Sequence, residues 1–410
     1  MLRVDADRLQ ADFAALASMG STTAGGVTRT TFGDAHQAAR AWFLEQATGA
    51  GLEARVDAAG NHSAVLSARS TGARTLLLGS HLDSVPNGGR YDGALGVLAA
   101  LEVLRVVRDA GLELPVTLEA IDFTDEEGTF VGLLGSWALT GALTTETLAS
   151  PRGGREALLA GLARVGLAED RLADARRDPA TLAAYLELHI EQGPLLERNG
   201  VDVGIVSGIA GSRSFQLTFE GDARHAGTTP MAGRRDAAVG AARLVAGVRE
   251  TVVRDFPGCV ATVGELELQP GAFNVVPGRA RVSLECRSLE LAQLDALERA
   301  LLERARSEAS AERLALEVAA VGRWEPVLLD PSVRAAIGRA ASSLRLGAIE
   351  LPSGAGHDAQ ALAAVAPTGM IFVPSMGGVS HHPAEQTAWT DCVNGANVLL
   401  GTALDLALAV

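Results

Sequence analysis

Two short polar segments near residue 80 carry side chains that could bind a metal ion. The sequences GSHLDS at 79–84 and GGRYDG at 88–93 supply His81, Asp83 and Asp92. Imidazole nitrogen and carboxylate oxygen are ligands that a metal such as zinc accepts, and one carboxylate can bridge two ions. Asp83 is close enough to His81 in the chain to accept its second ring N–H and fix the tautomer. We therefore predict a metal site with Asp92 as a bridging ligand.

A pair of adjacent glutamates follows the next apolar stretch. Residues 116–123 alternate in the manner of a strand and lead directly into TDEEG at 124–128. Adjacent carboxylates repel one another, and a nearby cation offsets that repulsion. One glutamate of the pair could hold metal while the other takes a proton from water.

Histidines occur in the same kind of position elsewhere in the chain. A strand-like run ends in LHIEQG at 188–193, and an apolar run at 368–373 precedes GVSHHPAE at 378–385. Six of the eight histidines fall in the segments named so far or in two others, ARHAGTTP at 223–230 and GAGHD at 354–358. Histidines scattered over a core or a surface would not be grouped in this way. The grouping favours a metal centre assembled from distant parts of the chain.

The elements that must position these groups form a parallel sheet. The apolar run 75–78, a buried helix at 93–109 and the strand 116–123 make a βαβ unit, which implies a right-handed crossover between parallel strands. Sites in such sheets lie beyond the carboxyl ends of the strands, where His81 and the glutamate pair occur. Further elements are predicted as helices at 5–20, 34–50 and 331–344 and a short strand at 348–351.

A smaller domain is expected to interrupt this sheet domain. The run of small residues at 204–211 suits a hinge. The elements predicted after it are strand 213–220, helix 235–254, strands 260–268 and 279–287, helix 289–309 and strand 314–321. This βαββαβ order is that of the ferredoxin-like unit. We predict an α/β domain at 1–209 and 325–410, with a mixed, largely parallel sheet and helices on both faces, and an inserted α+β domain at 210–324.

Composition limits the classes of partner. A chain of 410 residues with 48% hydrophobic residues suits two globular domains, and its net charge of −14 argues against binding nucleic acid or an anionic membrane surface. Three widely spaced cysteines indicate free thiols in a reducing compartment. No signal peptide or transmembrane stretch is recognised, so we expect a cytoplasmic protein that acts on a small molecule.

Taken in order, the motifs resemble one enzyme family. The series GSHLDSV, GGRYDG, DEEG, LHIEQGPLLE, HAGTTPM, RRDA, SGAGHDAQ and SHHPAE is similar to the amidase/hydantoinase/carbamoylase branch of the two-zinc aminoacylase and carboxypeptidase superfamily. The likeness runs from GGVTR at 25–29 to the last predicted helix, and it is strongest to N-carbamoyl-L-amino-acid hydrolases. It implies a zinc-peptidase-like fold, a homodimer, and hydrolysis of N-carbamoyl-L-amino acids to the amino acid, CO2 and NH3.

The same resemblance leaves several alternatives open. Sister enzymes that act on allantoate or N-carbamoyl-β-alanine would keep all of these ligands, and an aminoacylase or dipeptidase would share the metals. The phrase GRYDG at 89–93 and the run DFTDEE at 122–127 favour the carbamoylases over these sister enzymes. The segment HIEQG at 189–193 favours the carbamoyl branch over an aminoacylase or dipeptidase. A non-catalytic binding protein on this scaffold would have lost a ligand or Glu126, and neither is missing.

The resemblance also implies a role for each metal-site residue. His81, Asp92 and His189 would hold one ion, and Asp92, Glu127 and His381 would hold the other, with Glu126 as general base. The family pattern Ser-His-x-Pro-x-Glu selects His381 rather than His382. Zinc is the expected metal, and manganese, cobalt or nickel would also suit such ligands.

The substrate would be a small molecule with a carboxylate and a carbamoyl or ureido group. By resemblance, Arg287 grips the carboxylate, His225 and Asn274 polarise the scissile carbonyl, and Gln192 reads the carbamoyl NH2. Considered alone, His225 and Arg287 would more often be surface residues. The loop residues Gly356 and His357 are expected beside the substrate, although His357 could instead support a ligand or a turn. The inserted domain, as a dimerisation and lid domain, would supply its polar residues to the second subunit.

Overall fold

The computed structural model describes residues 2–409, which divide into two compact units. The large unit extends to Ser207 and resumes at Leu329, and the inserted unit is Gly208–Leu328. The domain boundaries expected from the sequence, at 209/210 and 324/325, lie about two and four residues from these divisions.

Sixteen strands occur among the described residues. In chain order, β1 to β16 are Glu53–Val56, His62–Leu66, Thr75–His81, Thr117–Phe123, Leu182–Ile190, Val203–Ile209, Gly211–Glu220, Arg224–His225, Val260–Thr262, Leu266–Gln269, Val275–Val276, Arg279–Ser288, Ala315–Trp324, Val327–Leu328, Ala348–Ser353 and Thr368–Val373. 

Twelve α-helices connect and cover these strands within residues 2–409. In chain order, α1 to α12 are Ala6–Ser18, Asp34–Gly49, Ala94–Asp109, Leu134–Thr140, Thr145–Ala149, Arg155–Arg164, Leu195–Asn199, Ala237–Asp255, Leu291–Ala311, Pro331–Ser343, Asp358–Leu362 and Trp389–Leu408. No helix in this part of the chain combines the length and the apolar character needed to cross a bilayer.

The sheet of the large unit has a parallel centre. Its strands follow the order β1-β2-β4-β3-β5-β16-β6, and β15 also pairs with β6. The four strands β4, β3, β5 and β16 run parallel, while β1, β2 and β6 pair antiparallel with their neighbours. The βαβ prediction is therefore confirmed, and the carboxyl ends of β3, β4, β5 and β16 meet at one edge of the sheet.

The sheet is buried from both sides. Leu76 and Leu78 on β3 belong to the main core together with α3 and α12, while Leu77 between them is equally buried without joining that core. Strand side chains alternate between faces, so burial of all three requires cover on both faces. Helix α3 is apolar around nearly its whole circumference and is almost wholly buried, as a helix inside a core must be.

The inserted unit has its own antiparallel sheet and core. Its strands follow the order β10-β12-β7-β13, β9 also pairs with β12, and α8 and α9 share one apolar cluster with the sheet. The single strand predicted at 260–268 is in fact two short strands, β9 and β10, separated by residues 263–265. A separate pair, β8 with β11, was not predicted because each has only two residues.

The small-residue run at 204–211 is not a loop. All of it except Ala210 lies in β6 or β7. A Cβ on Gly208 would lie 2.6 Å from the carbonyl oxygen of Val327, and one on Gly211 would lie 2.5 Å from the nitrogen of Pro326. Small residues occur here because two backbones approach closely, a requirement that sequence composition does not distinguish from a hinge.

The three cysteines are buried and unpaired, in agreement with the prediction of free thiols.

Candidate metal centre

Two of the metal candidates, His81 and Asp92, flank the loop between β3 and α3. Strand β3 ends at His81, α3 begins at Ala94, and Asp92 lies just before the helix. Gly93 has φ +62°, and a Cβ there would lie 2.4 Å from the His81 ring. Only glycine permits the backbone to pass the imidazole this closely in that conformation.

Asp92 lies at the centre of a group of three histidines. Its Oδ1 is 3.4 Å from His81 Nε2 and 3.1 Å from His189 Nε2, while its Oδ2 is 3.4 Å from His381 Nε2. His381 Nε2 is also 3.4 Å from Glu127 Oε2. Each carboxylate oxygen of Asp92 thus faces a different donor set, one with His81 and His189, the other with Glu127 and His381.

These spacings fit tetrahedral metal coordination. Ligand atoms bound at about 2.0–2.1 Å to a tetrahedral ion lie about 3.3–3.4 Å apart, and the spacings around Asp92 are 3.1–3.4 Å. Glu127 Oε1 is buried without a hydrogen-bond partner, so it is free to serve as a ligand. The residues therefore fit two divalent ions that share Asp92.

The two buried histidines of the first donor set, His81 and His189, are held so that Nε2 faces Asp92. His81 Nδ1 is 3.1 Å from the carbonyl oxygen of Asp83, and His189 Nδ1 is 2.9 Å from that of Ile190. A ring nitrogen this close to a carbonyl oxygen carries the proton, which leaves the lone pair on Nε2. The amide of Gly93 donates to His189 Nε2 at 3.3 Å, as expected if that atom bears a lone pair.

The centre holds several carboxylates close together, and burial with their mutual repulsion disfavours their ionised forms. Burial, with the Asp92 carboxylate beside it, raises the pKa of Glu127 to about 7. Burial also raises the pKa of Glu126 well above its usual range, and the nearby Glu127 carboxylate adds to the shift. Burial opposes protonation of His81, but the surrounding carboxylates, Glu126 first, outweigh it and raise the pKa of His81. Divalent cations would offset the repulsion between the carboxylates.

Glu126 lies at the edge of the first donor set. Its Oε2 is 3.5 Å from His81 Nε2, and its side chain is one-tenth exposed. Strand β4 ends at Phe123, so the glutamate pair follows the strand end directly, as predicted. Glu127 instead contacts His381 of the second donor set, so Glu126 and Glu127 lie beside different donor sets.

Asp83 supports the centre differently from the prediction. Its carboxylate Oδ1 is 3.6 Å from His81 Nδ1, whereas its own backbone oxygen is at hydrogen-bond distance. The carboxylate instead accepts the backbone N–H groups of Glu126 at 3.3 Å and Glu127 at 3.1 Å, and the Thr31 hydroxyl at 3.0 Å. The prediction was wrong about the atom, because the direction of a side chain two residues after His81 depends on the turn between them. The Asp83 carboxylate instead connects the loop after β3 to the loop after β4.

Gln192 and His357 lie beside the same ligands. Gln192 Nε2 donates to Asp92 Oδ2 at 2.7 Å, and its Oε1 is buried with no partner among the described residues. His357 is buried, its ring centroid lies 4.5 Å from that of His189, and its Nε2 is 2.8 Å from Ser353 Oγ. Gly356 precedes it at an exposed position in the same loop. Its contact with His189 is that expected of a residue that supports a ligand, and its contact with Ser353 lies within the turn that precedes it.

The two C-terminal histidines point to different partners. His381 reaches Asp92 and Glu127 and has φ +53°, an uncommon backbone conformation that often marks functional positions. His382 is exposed, and its Nδ1 is 3.1 Å from the backbone nitrogen of Ala384, from which it accepts. The contacts are those expected if His381 is the ligand.

The remaining candidates belong to the inserted unit. His225 on β8 and Asn274 before β11 are neighbours, because the amide of Ala226 donates to the carbonyl oxygen of Asn274 at 2.8 Å. Arg287 lies on β12, where its Nε donates to Glu285 Oε1 at 2.8 Å. His225 and Asn274 are exposed, and the Arg287 side chain is 35% exposed.

Sequence reasoning missed Glu385 and Ser380 as parts of the site. Glu385 is 2% exposed and accepts the backbone N–H groups of Tyr91 and Asp92, and Ser380 Oγ lies 3.2 Å from Asp92 Oδ2. Both belong to the motif SHHPAE, in which a buried carboxylate after two histidines was the available signal.

Comparison with known proteins covers the part of the chain that holds the candidate site. The model of peptidase family M20/M25/M40 matches residues 77–405, which contain every metal candidate. The chain belongs to this family. Its members are metal-dependent hydrolases, and the two donor sets around Asp92 are two of the three candidate metal groups among the described residues, the third being Glu187, His189 and His357.

Similar members of the family have named activities. N-carbamoyl-L-amino acid amidohydrolase of Geobacillus stearothermophilus is 40% identical over 98% of this chain and 99% of its own length. Ureidoglycolate hydrolase of Arabidopsis thaliana is 35% identical, with 99% and 88% covered, and allantoate amidohydrolase of Bacillus subtilis is 34% identical, with 91% and 91% covered. A crystal structure of an amidase of the hydantoinase/carbamoylase family from Burkholderia multivorans is 36% identical, with a TM-score of 0.90 over 99% of this chain and 98% of that one. The resemblance inferred from the motifs and the predicted fold class are thereby confirmed.

Proposed function

We propose that this protein is a two-metal amidohydrolase that cleaves N-carbamoyl-L-α-amino acids. The observation that carries the proposal is the pair of donor sets that share Asp92, with the Glu126 carboxylate at their edge. The reaction adds water to the carbamoyl carbon and breaks its bond to the α-nitrogen. The carbamic acid released with the amino acid then breaks its remaining C–N bond, so one substrate and one water give the free amino acid, CO2 and NH3.

The metal ions would be held by five side chains of the large unit. His81, Asp92 and His189 would bind one ion, and Asp92, Glu127 and His381 the other, with zinc as the expected metal. Bound there, divalent ions would polarise the scissile carbonyl and make water more acidic.

Glu126 would move the proton. Its carboxylate is largely buried and lies among other carboxylates, which raises its pKa and makes it a stronger base. It would accept the proton of the attacking water and deliver it to the leaving α-nitrogen. Because Asp83 holds the backbone N–H of Glu126, the carboxylate is kept at one place relative to His81.

Substrate recognition would use groups on both units. The free Oε1 of Gln192 can accept a hydrogen bond from the carbamoyl NH2. The planar guanidinium of Arg287 can form two parallel hydrogen bonds to the substrate carboxylate, and His225 with Asn274 would stabilise the developing oxyanion. We propose that the protein is a cytoplasmic homodimer, in which the inserted unit of one subunit serves the metal centre of the other, and that Gly356 and His357 border the substrate.

The named relatives support the substrate class. The relative at 40% identity is a carbamoyl-amino-acid amidohydrolase, while those at 34–35% act on allantoate or ureidoglycolate by name. All of these substrates contain a ureido group and a carboxylate, so the same polar residues could serve each of them. Allantoate or ureidoglycolate hydrolysis is therefore the second candidate.

A substrate panel tests the proposal. The zinc-loaded protein is assayed for ammonia release from N-carbamoyl-L-α-amino acids, allantoate, ureidoglycolate and N-carbamoyl-β-alanine. We expect the highest kcat/KM with an N-carbamoyl-L-α-amino acid and loss of activity in a strong chelator, restored by added zinc. A higher kcat/KM with allantoate or ureidoglycolate would contradict the proposed function and support the second candidate.

A further inference from the structure

Glu385 is a buried carboxylate that no step of the proposed reaction uses. It lies four residues after His381, and its side chain is 2% exposed. Its Oε1 accepts the backbone N–H groups of Tyr91 at 2.9 Å and Asp92 at 3.1 Å, and its Oε2 accepts the Ser380 hydroxyl at 2.8 Å. It makes no approach to the histidine ligands of the kind seen for Asp92.

The loop before α3 is shaped to receive this carboxylate. A Cβ on Gly89 would lie 1.9 Å from the Glu385 carboxyl carbon, far inside van der Waals contact. Gly89 is buried, and its φ is not in the left-handed region, so close packing rather than backbone conformation requires glycine. The glycine pair at 88–89 thus permits a side chain from the far end of the chain to lie on the backbone.

Ser380 lies between the two carboxylates. Its Oγ is 2.8 Å from Glu385 Oε2 and 3.2 Å from Asp92 Oδ2, and Gln192 Nε2 donates to the same Asp92 oxygen. The single Ser380 hydroxyl proton goes to Glu385, at the shorter distance, so Asp92 is held at its backbone by Glu385 and at its side chain by Gln192. The hydrogen bonds from Glu385 connect positions that are 293 and 294 residues apart.

We infer that Glu385 is a positioning residue: it fixes the position of the shared metal ligand Asp92 and connects Asp92 to the segment that carries His381. The inference rests on the metal centre proposed above. Because Asp92 belongs to both donor sets, loss of Glu385 weakens the binding of both metal ions, whereas loss of His381 weakens the binding of only one. Partners that orient metal ligands typically change metal affinity by about 10- to 100-fold when they are removed.

Zinc affinity of the metal-free protein tests this inference without substrate. The chain is stripped with a chelator and titrated with Zn2+ against a chromophoric competitor. We expect Glu385→Ala to raise the dissociation constants of both ions about 10- to 100-fold. Glu385→Gln should remain close to wild type, because its amide oxygen still accepts the two backbone N–H groups.

Gly89→Ala supplies an independent route to the same defect. Its new methyl group displaces the Glu385 carboxyl, so this variant should lose zinc affinity as Glu385→Ala does. In the double variant Gly89→Ala/Glu385→Ala the clash partner is gone, so its affinity should equal that of Glu385→Ala alone. If the two losses add instead, Gly89 and Glu385 act separately and the inference fails.

Glu102→Ala is the matched control for lost stability. Glu102 is a fully buried carboxylate of the same unit, but it pairs with Arg8. This variant should lower the unfolding temperature and keep wild-type zinc affinity. Wild-type affinity in Glu385→Ala, or equal affinity loss in Glu102→Ala, would overturn the inference. A wild-type chain that binds no zinc would refute the metal centre itself, whereas a chain that binds zinc without hydrolysing the substrate panel would refute only the proposed reaction.

Discussion

The first donor set differs in burial from the polar cluster of the inserted unit, whereas His381 of the second set has half of its side chain exposed. His81 and His189 are each 1% exposed and Asp92 4%, and each has hydrogen-bond partners besides its neighbours in the donor sets. By contrast, His225 is exposed, and Arg287 keeps 35% of its side chain exposed while paired with Glu285.

The difference follows from what each group has to bind. Buried carboxylates and imidazoles repel or rearrange unless other groups hold them, so a metal centre has to be assembled by folding. A guanidinium that binds a substrate carboxylate can stay partly solvated, and an existing partner such as Glu285 keeps its charge satisfied until substrate arrives. We therefore expect substitutions in the first group to alter metal content or chemistry and those in the second to alter substrate affinity.

The largest expected effect is that of Glu126→Gln. The amide cannot take a proton, so kcat should fall by at least about 10²–10⁴-fold, while both metal ions stay bound. Steady-state kinetics and metal analysis by mass spectrometry measure the two quantities on one preparation. A near-normal rate with normal metal content would remove Glu126 from the mechanism.

Arg287→Ala should act on substrate binding alone. Truncating one partner of a closed ion pair costs about 2–5 kcal/mol, or roughly 30- to 4,000-fold in kcat/KM. We expect the loss mainly as a raised KM, with metal content unchanged. A carbamoyl compound without a carboxylate is the control substrate, and it should be hydrolysed equally by the wild type and the variant. An equal loss with that compound would show that Arg287 does not recognise the carboxylate.

The tandem histidines allow a matched pair within the metal centre. His381→Ala removes a donor from the second set, so bound metal should fall from about two ions per chain toward one. His382→Ala should leave metal content unchanged, since His382 lies toward Ala384. Metal content that falls only in the His382 variant would reverse the choice of ligand.

Mixing two variants that are each impaired at low substrate concentration tests whether the regions act across subunits. His81→Ala lacks a metal ligand and Arg287→Ala lacks the carboxylate partner, so a mixed dimer contains one complete site if the inserted unit serves the other subunit. Random assortment would make half the dimers mixed and restore about a quarter of wild-type activity. Subunit exchange is verified by mass spectrometry of differently tagged chains. No recovery after verified exchange would mean that each chain completes its own site.

Much of the large unit could be predicted from the sequence. The apolar runs before His81 and the glutamate pair predicted parallel strands, and parallel strands necessarily bring their carboxyl ends to one edge. The strand break at 263–265 was missed, although Gly264 lies within it and an isolated glycine in a strand pattern signals an interruption. The small residues at 204–211 were predicted to form a hinge, and the division between the two units falls within them, between Ser207 and Gly208, although nearly all of the run is strand.

The sequence by itself determined the donor types, their order along the chain and the family likeness, because these depend on residue identity and local periodicity. Only the tertiary structure decided which oxygen of Asp92 faces which histidine and that the Asp83 carboxylate holds the glutamate backbone. It alone placed Glu385 on the backbone of Asp92. These contacts depend on side-chain rotamers and on segments up to 294 residues apart, which local sequence does not encode.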